Sequence, residues 1–369
     1  MERLRKIIAT LSAQEAAITR HVITGESVID SLWTHLESLE AVDSFLKINC
    51  FDWSHQEDRE RLQAIHSEAL GYVESLLERP LAKELRRPKD LREIFLIASR
   101  DEVAADLTLS EFPPAEELPL PKQACLLLKV MNIINHIDGH ELLYATSLSR
   151  RDLAQRVDDK IGRVLSRLKG SGFPITHFEG SRKPKESLIT KLLCKRSTVA
   201  SRINDRLRYQ IITREKQDLV ELVVELFSTV LPYNYLIPGA TVNKLLDPEL
   251  LVSSPELISH KARDMAHSIA RSVSHLFPHS REEMDFTGAT FNTLKFVVDV
   301  PVRLDPHTVR SAQTLTQGLG QIVYSLVEVT MVDEETHEMN QQGENAHPLY
   351  KSRQKKGALE RILGTKFKP

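Results

Sequence analysis

Between Glu179 and Ile212 the chain reads EGSRKPKESLITKLLCKRSTVASRINDRLRYQII, a stretch that gathers cations in front of a single carboxylate. Eleven Lys and Arg residues lie between Arg182 and Lys216, against the acids Glu186, Asp205 and Glu215. Charge at that density needs either solvent or a polyanion. Arg182, Lys185, Ser187 and Lys191 open a segment that turns helical at about Ser187. Residues four apart share a helix face, and a helix N-terminus offers free N–H groups, so Ser187 and Lys191 suit a phosphate chain. Asp205 stands just ahead of the strand-like RLRYQII, where a carboxylate can hold a divalent cation, and Mg²⁺ uses one or two carboxylates plus phosphate oxygens. A second acid is then wanted. Glu328, inside the nearly continuous apolar run IVYSLVEVTMVD, is expensive to bury ionised without a partner. The plain alternatives are a solvated helix face for the basic run and an edge-strand position facing water for Glu328.

These residues resemble the Arg…Lys…Ser…Lys…Asp signature of RelA/SpoT-type alarmone synthetases. The later VEVTMVDEETHEMNQQGENAHPLYKSRQ is similar to that family's strand Glu followed by Gly-x-x-Ala-His-x-x-Tyr-Lys, here Gly343, Ala346, His347, Tyr350 and Lys351. The resemblance covers about residues 179–354, with both blocks in the family order. It implies a nucleotidyltransferase-like mixed sheet flanked by helices, and pyrophosphate transfer from ATP to the 3′-hydroxyl of a guanine nucleotide or related acceptor, an RNA 3′-end included, with Mg²⁺ as cofactor. Carried over, Arg182, Lys185 and Lys191 would neutralise the ATP phosphates and Ser187 would donate to them. Asp205 would ligate Mg²⁺, and Glu328 would contact the metal or take the proton of the attacking hydroxyl. Phosphoryl-type transfer needs such parts because its catalysis is mostly positioning and charge stabilisation.

The acceptor side departs further from the family pattern. Its Gly-Tyr-x-Ser-x-His block has its best counterpart in TFNTLKFVVDVP, with Phe291 for the stacking Tyr, Thr293 for Ser and Lys295 for His; His347, Tyr350 and Lys351 complete the acceptor set. The usual Arg after the Asp is displaced, and Arg208, which shares a strand face with Gln210 by period-two counting, stands in for it. Two other readings remain: a catalytically inactive nucleotide- or RNA-binding sensor on the same fold, and a helical interaction protein whose basic run is solvated.

The elements that must position these groups fall into two regions. Apolar residues recur at helical spacing from Met1 to about Arg100, as in VIDSLWTHLESLEAVDSFL. Four prolines in LSEFPPAEELPLPK (109–122) mark a linker, and helices resume at Gln123 with QACLLLKVMNIINHIDGHELL. SRRDLAQRVDDKIGRVLSRLKGSG opens on a Ser-x-x-Asp cap and closes on Lys-Gly. Beyond it LRYQIIT, NTLKFVVDVPVRL and QIVYSLVEVTMV read as strands, alternating with the helical EKQDLVELVVELFSTVL and PELISHKARDMAHSIARSVSHLF. The expected fold class is α+β: a helical regulatory or scaffolding bundle over residues 1–150, then the mixed-sheet domain over 151–369.

His136, Asp138 and His140 in NHIDGHELL lack the remaining ligands of a hydrolase metal site nearby, and read as structural or capping residues. His267, His275 and His279 read as surface or helix-end residues. The chain of 369 residues is 41% hydrophobic and nearly balanced in charge, 49 Lys+Arg against 51 Asp+Glu, so the basic run is a local feature of a globular protein. Cys50, Cys125 and Cys194 share no C-x-x-C spacing and suit free thiols in a reducing compartment. With no signal-like N-terminus and no run of roughly 18 apolar residues, a cytoplasmic protein is expected, with no membrane partner and a possible homo-oligomeric state.

Overall fold

The computed structural model of the chain describes residues 2–25, 36–100, 118–182, 184–194, 207–246, 291–310, 318–343 and 347–363. It is an α+β protein, with thirteen α-helices and one five-stranded mixed sheet among the described residues. Eight helices come first: α1 (Glu2–Thr10), α2 (Ala13–Thr24), α3 (Leu39–Ile48), α4 (Gln56–Leu77), α5 (Lys83–Arg86), α6 (Arg92–Ala98), α7 (Leu120–Ala145) and α8 (Arg150–Gly170). Then β1 (Ile175–Arg182), α9 (Lys185–Cys194), β2 (Leu207–Thr213), α10 (Asp218–Thr229), β3 (Val242–Asn243) and β4 (Leu294–Arg303) follow. The described chain continues through α11 (Pro306–Arg310), β5 (Ile322–Asp333), α12 (Glu334–Asn340) and α13 (His347–Leu363).

Local chemistry sets several boundaries. Ser12 caps α2 in a reciprocal capping box with Glu15, and Gly25, at φ 70°, ends that helix in the left-handed region. Ser149 accepts from the Asp152 N–H at 3.1 Å, the cap its Ser-x-x-Asp pattern announces. In α8 the buried residues Leu153, Ala154, Val157, Ile161, Leu165 and Leu168 recur every three or four positions and form one apolar stripe. Asp333 ends β5 and caps α12, accepting the Thr336 N–H at 3.0 Å and the Thr336 hydroxyl at 2.7 Å.

The sheet order is β1-β2-β5-β4-β3, which puts β5 in the centre. β2 runs parallel to β5, with Arg208 directly opposite Glu328; the other pairings are antiparallel. Because side chains alternate along a strand, the register defines two unlike faces. One carries Tyr209, Ile211, Phe296, Val298, Val327 and Val329, all buried. Helices α8 and α10 cover it: the Tyr209 hydroxyl donates to the Asp158 carbonyl at 3.0 Å, and Phe227 packs on Phe296 at 5.3 Å between ring centroids. The other face carries Ser181, Arg208, Gln210, Lys295, Glu328 and Thr330 in its middle. Further along, the same face presents Asp299 and Tyr324 to α7.

The contact with α7 is close. A Cβ on Gly139 would collide with the buried Tyr324 ring and stand 2.8 Å from the Ile322 carbonyl oxygen, so this position admits only glycine. Around α7 pack α4 and α6, while α1, α2 and α3 lean on α10. One continuous cluster of buried residues runs from Ile8 in α1 to Val332 in β5, so the residues on either side of position 150 share a core. Polar ties reinforce it: the Asn234 amide donates to Asn49 Oδ1 (2.9 Å) and Asn132 Oδ1 (2.8 Å), and Arg303 pairs with Asp58.

The three expected strands are present, and EKQDLVELVVELFSTVL contains α10. Three features differ from expectation. Residues 175–182 form an edge strand, and α9 starts at Lys185, two residues before the expected start, immediately after Pro184. Helix α7 likewise begins at Leu120, inside the proline-rich stretch, with proline in its first turn. The expected helix 255–277 lies outside the described residues, as does most of the linker. No described helix is long and apolar enough to cross a membrane.

Candidate functional site

The expected site residues fall into three groups. Glu328 and Arg208 meet between β5 and β2, and Lys351 and Ser187 meet between α13 and α9, with the Arg208 charge felt at Lys351. Glu328 is buried, 7% exposed, in the central strand. Its Oε1 accepts from Arg208 Nε and lies within ion-pair distance of Nη2, both at 2.7 Å. Arg208, delivered by in-register parallel pairing, is therefore a partner of the kind a buried carboxylate requires. Lys351 Nζ donates to Ser187 Oγ at 2.8 Å, joining the start of α9 to α13. Burial, then the charges of Arg208 and Lys355, hold the Lys351 ammonium below the usual lysine range. Desolvation leads that shift, and the two neighbouring cations add to it. Arg361, lower on α13, donates to the Leu192 and Leu193 carbonyls at the end of α9 and fixes the two helices together.

Lys295 and Gln210 lie on the same sheet face as Glu328. Lys295 stands opposite Thr330, and Gln210 is 3.5 Å from His337 Nδ1. Phe291 precedes β4, half-buried, next to Asn292, which is latched to Asn340 by bonds of 3.1 and 2.7 Å. Tyr350 is half-buried on α13 and its oxygen accepts from the Gln354 amide at 2.7 Å. Lys185 is exposed at the start of α9.

Arg182 is not brought into the group. In the β1–β2 register Ser181 faces Arg208 and Arg182 faces Leu207, so strand alternation turns Arg182 to the opposite face. There its guanidinium donates to the Arg151 carbonyl at 2.7 Å. Asp205, and the side chains of Lys191 and His347, lie outside the described residues, as do His267, His275 and His279.

A second polar cluster sits on the same sheet face, beneath α7. His136 and His140, four apart and so on one helix face, both point Nε2 at Asp299 Oδ2, each at 3.0 Å, and stand 3.2 Å from one another. Burial pushes the Asp299 carboxyl up, but the hydrogen bonds and charges of His136 and His140 together hold it below its ordinary range. Tyr235 stacks on His136 at 4.7 Å, and Tyr324 packs edge-on to His136 at 4.7 Å and stacked on His140 at 5.9 Å. Asn135 donates to both tyrosine hydroxyls, at 3.0 and 2.6 Å. Burial pushes the Tyr235 hydroxyl up to about 12. Asp138, the middle member of the histidine motif, turns away and pairs with Arg61. Sequence reasoning passed over Asp299; its only signal was a lone acid in the apolar strand FVVDVPV. Cys50 and Cys125 are free thiols, as expected.

Fold and site together define an α+β protein with a cationic cluster around a buried carboxylate on the central strand of a mixed sheet. No protein-family model matches the chain, and no curated protein sequence is significantly similar to it.

Proposed function

We propose that the chain is a Mg²⁺-dependent nucleotide pyrophosphokinase with a nucleotidyltransferase-like sheet, of the RelA/SpoT type. The observation that carries this reading is the pair of contacts Arg208–Glu328 and Lys351–Ser187, contributed by four separate elements, with the Arg208 charge felt at Lys351. Arg208 would take the ATP phosphates with the Ser187 hydroxyl donating to them, and Lys351, expected on the acceptor side, would join them through its bond to Ser187. Lys295, two positions from the residue opposite Glu328, adds a cation toward the acceptor, and Phe291 offers a ring for its base.

In the reaction the acceptor 3′-oxygen attacks the β-phosphorus of ATP. The bond from that phosphorus to the α–β bridging oxygen breaks, AMP leaves, and Glu328 takes the hydroxyl proton. For this Arg208 must move from Glu328 to phosphate, and its side chain, 43% exposed, has room to swing. Glu328 would supply one hard oxygen to Mg²⁺, with phosphate oxygens and Asp205, two residues ahead of Leu207 in the sequence, completing such a shell. Bound there, Mg²⁺ would neutralise charge on the transferred group.

The Arg208–Glu328 pair also favours a second reading, in which the acid is permanently neutralised and the site binds nucleotide or RNA without turnover. Incubation with ATP, Mg²⁺ and GDP, GTP, AMP or tRNA, followed by nucleotide chromatography, separates the two. AMP release with a pyrophosphorylated acceptor, abolished in Glu328→Gln while ATP still binds, supports the transferase. Binding without turnover supports the sensor, and absence of ATP binding removes both.

A further inference from the structure

We infer that His136, His140 and Asp299 form a binding site for a divalent transition-metal ion, separate from the phosphate-binding cluster. All three donor atoms lie within 4.8 Å of one another. Ligand atoms held about 2.0–2.1 Å from an ion stand about 3.3 Å apart in tetrahedral geometry and about 3.0 Å apart in octahedral geometry. The triangle of two Nε2 atoms and Oδ2 has edges of 3.0, 3.0 and 3.2 Å, the size of one face of either polyhedron.

Hydrogen bonding alone accounts poorly for this arrangement. A carboxylate receiving two imidazole N–H groups has two oxygens to offer, yet both rings crowd onto Oδ2. Among the described residues, Asp299 Oδ1 is left buried with no hydrogen-bond partner, and the residue is only 2% exposed. An orphaned buried carboxylate oxygen calls for an explanation, and a cation shared with Oδ2 supplies one. Two neutral imidazoles and one carboxylate also match the class of ion. Imidazole selects zinc, copper, iron or nickel over magnesium and calcium, and two histidines with one carboxylate is the ligand set of sites that keep open positions.

The surroundings are those of a built site. Tyr235 and Tyr324 fix both rings, Asn135 ties the two hydroxyls, and Gly139 lets α7 press onto Tyr324 between the two histidines. Asp299 closes the floor, while the side chains of His136 (30% exposed) and His140 (43% exposed) leave the remaining positions open to solvent and to an exogenous ligand. In the register Asp299 is one two-residue step from Val297, the partner of Glu328, so their Cα atoms are about 8 Å apart on one face.

The test uses the full chain, freed of metal with a chelator, titrated with Zn²⁺ by calorimetry and with Co²⁺ by visible absorption. We expect one equivalent to bind, with d–d bands and no thiolate charge-transfer band, which distinguishes the site from the free cysteines. Affinity should fall at least about 100-fold in His140→Ala, a half-exposed position whose loss leaves the fold intact by circular dichroism. Asp299→Asn should behave likewise, and Zn²⁺ should raise the melting midpoint of the wild type but not of His140→Ala. No binding by the wild type, undiminished binding by His140→Ala, or a thiolate band in the Co²⁺ spectrum would overturn the assignment. None of these readouts involves nucleotide, so this site and the transferase reading stand or fall separately.

Discussion

Replacing Arg208 with alanine tests the electrostatics of the sheet centre most directly. The substitution takes from Glu328, 7% exposed, the guanidinium that meets Oε1 through two nitrogens at 2.7 Å. Breaking a fully buried pair costs about 3–5 kcal/mol. The Arg208 side chain is 43% exposed, however, so water entering from its side offsets part of the loss, leaving about 1–3 kcal/mol. The sign with pH follows from the burial. A buried carboxyl that has lost its guanidinium is pushed up by desolvation relative to the unfolded chain, so its protonated form is favoured in the fold. The deficit of Arg208→Ala is therefore smallest below the ordinary glutamate value of about 4.3 and grows as pH rises toward neutrality. Urea denaturation of the wild type, Arg208→Ala, Glu328→Gln and the double variant between pH 4 and 7.5 measures this as a cycle. The double variant should recover most of the loss. Additive single effects, or a deficit that does not change with pH, would refute the reasoning.

Other perturbations have equally definite outcomes. Gly139→Ala drives a methyl into the Tyr324 ring and should destabilise by about 1–3 kcal/mol in a thermal or urea melt. Asn135→Ala removes the amide shared by the Tyr235 and Tyr324 hydroxyls and should cost about 1–3 kcal/mol, while Asn135→Gln should not restore it if register matters. Lys351→Met should weaken inorganic triphosphate binding about tenfold or more by calorimetry, with a shallower salt dependence. In the free protein the lost bond to Ser187 and the relieved burial of the ammonium oppose one another, so the same variant should change stability by less than about 1 kcal/mol near neutral pH. In the wild type that penalty fades as pH rises through the lowered Lys351 value, so the gap between the two proteins narrows at alkaline pH.

What the sequence disclosed was governed by how local the signal is. LRYQIIT became β2 residue for residue because alternation is a nearest-neighbour pattern, and the same counting put Arg208 and Gln210 on one face. The need of Glu328 for a partner was legible too, but the choice of Arg208 depends on parallel pairing across 120 residues. β1 went unread because it is an edge strand; of ITHFEGSR only Ile175 is buried, so no apolar alternation betrays it. That omission misdirected Arg182, whose orientation follows from the strand it belongs to. The spacing of His136 and His140 was visible, yet their third member arrives from β4, more than 150 residues later. Local sequence suggested Asp138 instead, which serves Arg61.

The seating of α7 on β5 has a practical corollary for anyone dissecting the chain. A fragment beginning at Arg151 would strip the roof from Tyr324 and expose its ring, together with the flank of α10 on which the first three helices rest. Such a fragment should aggregate rather than stand as an autonomous catalytic half. By the same contact, any tilt imposed on α7 from outside would be felt at once in the middle strand, so the amino-terminal helices and the polar sheet face form one mechanical unit.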